Sequence, residues 1–71
     1  MNANELKGKI ASNGMNVGSF CEQFHFNRST FDRKLNGLSD FKRSEIERII
    51  HALSLTPEEL RNIFFADQVT K

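Results

Sequence analysis

Apolar positions along this 71-residue chain recur at helical spacing, with little strand-like alternation. Leu6 and Ile10 form an i, i+4 pair. Phe20, Cys21 and Phe24 fall on one side of a second segment, and Phe31 and Leu35 on one side of a third. Ile46, Ile49, Ile50 and Leu53 make the cleanest stripe, and Leu60, Ile63 and Phe64 continue the pattern into a fifth segment. Residues three and four apart stack on one face of an α-helix, so the pattern predicts five amphipathic helices and an all-α fold.

Capping residues set the boundaries. Asn4 or a neighbour starts the first helix, and Asn13-Gly14 ends it. Asn16 caps the second, with Met15 before the cap and Phe20 inside it arranged as a hydrophobic staple; Asn27, flanked by Phe26 and Phe31, repeats the device. Only a tight turn fits between them. The close crossing of the two helices favours a small side chain, Cys21. The third helix ends at Asn36-Gly37. For the fourth, Asp40 can cap, or Ser44 with Glu47 can form a capping box; the start falls near Lys42 or Arg43. The fifth has the strongest signal. Thr56 caps, Pro57 takes the first turn, Glu59 closes the box, and Leu55 staples to Leu60. Glu58 and Glu59 are thereby explained as helix N-terminal charges, not as a catalytic carboxylate pair.

On the third helix, Arg28, Ser29, Asp32, Arg33 and Asn36 cover an arc of roughly 140°, away from Phe31 and Leu35. A short polar face bearing guanidinium groups suits the DNA major groove, where Arg pairs with guanine O6 and N7. The segment Asn16 to Gly37, NVGSFCEQFHFNRSTFDRKLNG, resembles the helix-turn-helix of the Xre/Cro/lambda-repressor family. From Leu6 to Phe65, with KLNG closing the third helix and SEIERI opening the next, the chain is similar to small phage Cro-like regulators. It departs from the family pattern at Val17, where Gln is common, and at His25, where Gly is common; the resemblance therefore implies a positive φ at His25, a conformation non-Gly residues adopt at some cost.

The resemblance implies a compact five-helix lambda-repressor-like domain over residues 1–65, followed by a tail over 66–71. It also implies a sequence-specific transcriptional regulator, a Cro-like repressor, that binds double-stranded operator DNA as a homodimer, since one such domain reads only a few base pairs. In that setting Arg28, Ser29, Asp32 and Arg33 are the expected base-reading residues. Asn16, Lys34, Asn36, Lys42 and Arg43 are the expected phosphate contacts, the last two beside a helix N-terminus. Lys9 is a further phosphate candidate or a solvated lysine. Arg28 and Asp32, four apart, can also form an ion pair worth a few tenths of a kcal/mol.

Charge adds a gradient. The net charge is only +1, but residues 28–43 carry five cations against two carboxylates, while the segment that follows is net acidic. Seven Phe and no Trp or Tyr point to aromatic packing at helix crossings, in a chain short enough to bury only about 60% of its unfolded surface. That leaves little wall for a catalytic cleft, and no enzyme activity or cofactor is expected. Cys21 and His25 are four apart, but only His51 remains as a third soft ligand, so no metal site is expected and Cys21 is read as a small hydrophobe. The lone cysteine excludes an intramolecular disulfide, and no leader or membrane-length apolar run is present, so a cytoplasmic protein of a bacterial or phage-infected cell is expected.

Phe64 and Phe65 cannot share one direction on a helix, so one of them is left over. With Val69 they form a candidate association surface; alternatively Phe65 folds over the edge of the first helix. This spare apolar surface, the low net charge and Val17 keep a second function in view, that of an antirepressor or corepressor acting on another regulatory protein.

Overall fold

The computed structural model describes residues 1–65. Five helices follow one another: α1 (Ala3–Ser12), α2 (Val17–Phe24), α3 (Arg28–Leu35), α4 (Arg43–Leu53) and α5 (Pro57–Phe64). No strand occurs among the described residues, so the all-α class holds. Val69 lies outside them.

Local chemistry accounts for most boundaries. Asn16 accepts from the Ser19 N–H at 2.8 Å while the Ser19 hydroxyl accepts from the Asn16 N–H at 3.0 Å, a reciprocal box that starts α2. Asn27 accepts from Thr30 N–H at 2.9 Å and starts α3. Thr56 and Glu59 exchange two bonds, at 2.9 and 3.1 Å, to start α5, with Pro57 in its first turn. The turn between α2 and α3 runs through His25, whose φ of 63° is the left-handed value expected from the glycine that the family pattern has there. Gly14 and Gly37 take positive φ after α1 and α3.

Two starts take their detail from the structure. For α1, where Asn4 or a neighbour is the expected start, Asn2 is the cap, accepting from Glu5 N–H at 3.1 Å while its own N–H binds the Ile63 carbonyl at 2.6 Å. Docking on α5 thus decides between two chemically equal asparagines. α4 starts at Arg43 as expected, but neither Asp40 nor Ser44 caps it. Lys42 holds the cap position, and Glu45 supplies half a capping box by accepting the Lys42 N–H at 2.8 Å. A lysine side chain has no acceptor to give in return.

The core gathers Leu6, Ile10, Phe20, Cys21, Phe31, Leu35, Ile49, Leu53, Leu55 and Ile63, all buried. α2 packs on α3, and α1 on both α5 and α2. Six phenylalanines form a chain of ring contacts through the molecule. Phe24 meets Phe20, Phe20 meets Phe26 and Phe31, Phe31 meets Phe41, and Phe41 meets Phe64 edge-on, with centroids 5.0 to 5.8 Å apart. These are the separations at which rings attract beyond their buried area. The seventh, Phe65, is 39% exposed.

Candidate nucleic-acid interface

α3 divides its residues by helical phase. Phe31 and Leu35 enter the core, while Arg28, Ser29, Arg33 and Asn36 lie on the exposed side and Asp32 is half-exposed. The arc anticipated from the sequence is therefore present as a continuous polar strip. Arg28 donates from Nε to both Asp32 oxygens, at 3.2 and 3.4 Å, the intrahelical pair foreseen from their spacing. Its guanidinium also reaches α2. A Cβ added to Gly18 would stand 2.6 Å from Arg28 Nη1, so the missing side chain at Gly18 leaves the space that the guanidinium crosses. The starts of α2 and α3 are thereby adjacent, and Asn16, the α2 cap, is exposed beside Gly18.

Arg33 makes no ion pair among the described residues. Asn36 caps the C-terminus of α3, donating its N–H to the Asp32 carbonyl at 3.0 Å. At the head of α4, Lys42 is exposed and Arg43 is 93% exposed, with a loose 3.4 Å contact to Glu47. These groups, together with the free N–H groups of the first turn of α4, can accept an anion.

Lys34 is corrected by the structure. It is only 8% exposed, and both oxygens of Glu45 accept from its Nζ, at 2.6 and 2.7 Å. An ammonium held by a carboxylate inside the fold is not on offer to a phosphate, so Lys34 leaves the phosphate set. Lys9, partly exposed, is not a bare solvated lysine, since its Nζ donates to Glu59 at 2.8 Å. Burial works to raise the Glu45 carboxyl, but the bonds from Lys34 and from the Lys42 N–H, with the charges of both lysines, outweigh it and hold its pKa below the ordinary value. The Lys9 bond, and then the Thr56 N–H, lower Glu59 likewise.

Arg48 carries no local signal in the sequence, yet it fixes the turn between α2 and α3. From α4 it donates to the Phe24 carbonyl, and its guanidinium carbon lies 4.1 Å from the centre of the Phe26 ring. A cation on the last carbonyls of α2 satisfies acceptors that the helix itself leaves open.

Cys21 is 2% exposed. Burial pushes its thiol above the ordinary value, with Arg28 opposing and Asp32 adding. Phe64 is half-buried and Phe65 edges a shallow groove that also includes Leu35, Phe41 and Ile46; Leu38, nearby in the α3–α4 connection, is 66% exposed. No helix of the described residues is long and apolar enough to cross a membrane. Comparison with models of known protein families, with curated proteins and with solved structures finds no match.

Proposed function

We propose that the chain is a sequence-specific DNA-binding regulator of the lambda-repressor-like helix-turn-helix type, acting as a Cro-like repressor. On this reading α3 enters the major groove and two copies cover a two-fold operator. One observation carries it: the exposed strip of α3 bears Arg28, Ser29 and Arg33, and Arg28 reaches the start of α2 at Gly18. Arg33, without a protein partner among the described residues, is the first candidate for a bidentate contact to guanine. Arg28, oriented by Asp32, is the second. Asn16, Asn36, Lys42 and Arg43 hold the phosphates to either side.

The second reading, an antirepressor or corepressor that binds another regulatory protein, has its own support. Two of the basic residues near the strip already face carboxylates of their own helices, Arg28 with Asp32 and Arg43 with Glu47. Leu38 and Phe65 leave apolar surface exposed. The deciding experiment is selection from a random-sequence DNA pool at low salt, followed by mass determination of the bound species. An enriched inverted repeat carrying two copies is expected. No enrichment by folded protein would reject DNA as the target in favour of a protein partner.

A further inference from the structure

α3 and α4 are joined by a connection with little to stiffen it. Gly37 takes φ 81° after α3, Leu38 is exposed, and the N–H groups of Ser39, Asp40 and Phe41 make no backbone hydrogen bond among the described residues. Phe41 anchors the apolar side of the connection by its ring contacts with Phe31 and Phe64. Nothing in those contacts fixes the direction in which α4 sets out. Burial of Ile49 and Leu53 seats the body of α4, Arg48 ties it to the α2–α3 turn, and a polar link ties its start to α3. Lys34, on α3, grips both oxygens of Glu45, and one of those oxygens also receives the N–H of Lys42, the residue that caps α4. The Lys34 ammonium stands 5.8 Å from the centre of the Phe41 ring, so the link lies against the anchored side of the connection.

We propose that Lys34 and Glu45 are positioning residues for DNA binding. They hold the start of α4, with Lys42 and Arg43, at a fixed offset from Arg28, Ser29 and Arg33, and they do so without touching DNA. The inference rests on the DNA-binding reading above. Its physical basis is that apolar burial is non-directional, whereas an ion pair whose acceptor also receives a backbone N–H defines both a distance and an angle. A groove-reading strip and a phosphate-holding helix start engage one duplex together only if their offset matches the spacing of the DNA backbone. Contacts ordered before binding do not have to be ordered during it.

The test compares the wild-type protein with Lys34→Met/Glu45→Gln, which removes both charges but keeps an oxygen for the Lys42 N–H. Binding is measured on the DNA that selection recovers, across a series of salt concentrations, with thermal melts to establish folding. The double variant is expected to melt near the wild type, to bind about tenfold more weakly, and to show a slope of log affinity against log salt shallower by about 0.9 for each phosphate contact released. Arg43→Ala serves as the reference for losing one such contact directly. Glu45→Gln alone is the second variant, should the double variant not fold, and is expected to shift affinity in the same direction. Unchanged affinity and slope in a folded variant would overturn the positioning role while leaving DNA binding intact. Failure of the wild type to bind any selected DNA would instead overturn the DNA-binding reading, and this role with it.

Discussion

The molecule uses one device twice, and the two copies differ in their surroundings. In α4 and in α5 the third helical residue is a glutamate that accepts the N–H of the cap and also takes a lysine from an earlier helix. Glu45 does this with Lys42 and Lys34, and Glu59 with Thr56 and Lys9. The Lys34 side chain is 8% exposed and that of Glu45 21%, against 27% and 36% for Lys9 and Glu59. The caps differ as well. Thr56 returns a bond to Glu59, whereas Lys42 cannot return one to Glu45. The α5 start is thus secured by its own cap, with the ion pair as an addition. The α4 start has no returned cap bond, so the ion pair weighs more there, and it carries Lys42 and Arg43, two residues of the candidate interface.

The largest expected effect is at Lys34. Lys34→Met leaves a partly buried carboxylate without its cation, and the expected loss is about 3 kcal/mol, the lower end for a broken buried pair because Glu45 keeps some water contact. Chemical denaturation of the two proteins measures it. The Lys34→Met/Glu45→Gln variant should recover most of the loss, since an unpaired charge is what costs so much. Acid should weaken the same link. Glu45 and Glu59 both titrate below their ordinary value in the fold, so their stabilisation is complete above the unfolded glutamate pKa of about 4.3 and drains away as pH falls through the lower folded values. The wild-type melting temperature should therefore hold from pH 7 to about pH 5 and fall below it. Glu45→Gln should begin lower and fall less.

Next in size are the caps. Thr56→Ala removes the hydroxyl that accepts the Glu59 N–H and should cost about 1 kcal/mol in the same denaturation experiment. Lys42→Ser does the reverse at α4 by completing a box of which only the Glu45 half exists. A gain of about 0.5 kcal/mol is expected and, on the DNA-binding proposal, weaker binding with a shallower salt slope, because a cation has left the candidate interface. A variant that is more stable and binds less well would show that the incomplete cap is kept for the lysine.

Features that act within a few residues were readable in the sequence. Asn16, Asn27 and Thr56 cap through bonds to residues three positions on, whereas the positive φ of His25 was legible only through the glycine that the resembled family carries there. The aromatic packing was readable too, since seven Phe in so short a chain have few other places to go. Lys34 was misread although its phase was available. On a helix it lies only about 60° from Phe31, on the inward side, but a lysine in a basic segment invites a solvent-facing assignment. Its partner, Glu45, sits beyond a connection whose path no local rule gives. Arg48 reaches across 24 residues to the Phe24 carbonyl, and Lys9 across 50 to Glu59; in neither case does chain spacing hold any information. For α3, the helical phase indicated a polar face, and Arg28, Ser29, Arg33 and Asn36 are indeed exposed, but which basic side chains on or near that face are already paired depended on tertiary geometry.

The smallest expected effect is also the control for the comparison. Lys9→Met breaks the exposed copy of the device but leaves the Thr56–Glu59 box in place, so α5 keeps its start. Its melting temperature should fall by less than that of Thr56→Ala at low salt, and the difference from wild type should vanish near 1 M salt, where the screening length is about 3 Å. The Lys34→Met deficit should shrink much less under the same conditions, because a pair whose lysine is buried is screened less than an exposed one. If Lys9→Met instead cost as much as Lys34→Met, and salt left both unchanged, burial could not be what separates the two links. The offset between α3 and α4 would then have to be held by the ring contacts of Phe41 with Phe31 and Phe64, with the ion pair lying on top of an arrangement already fixed.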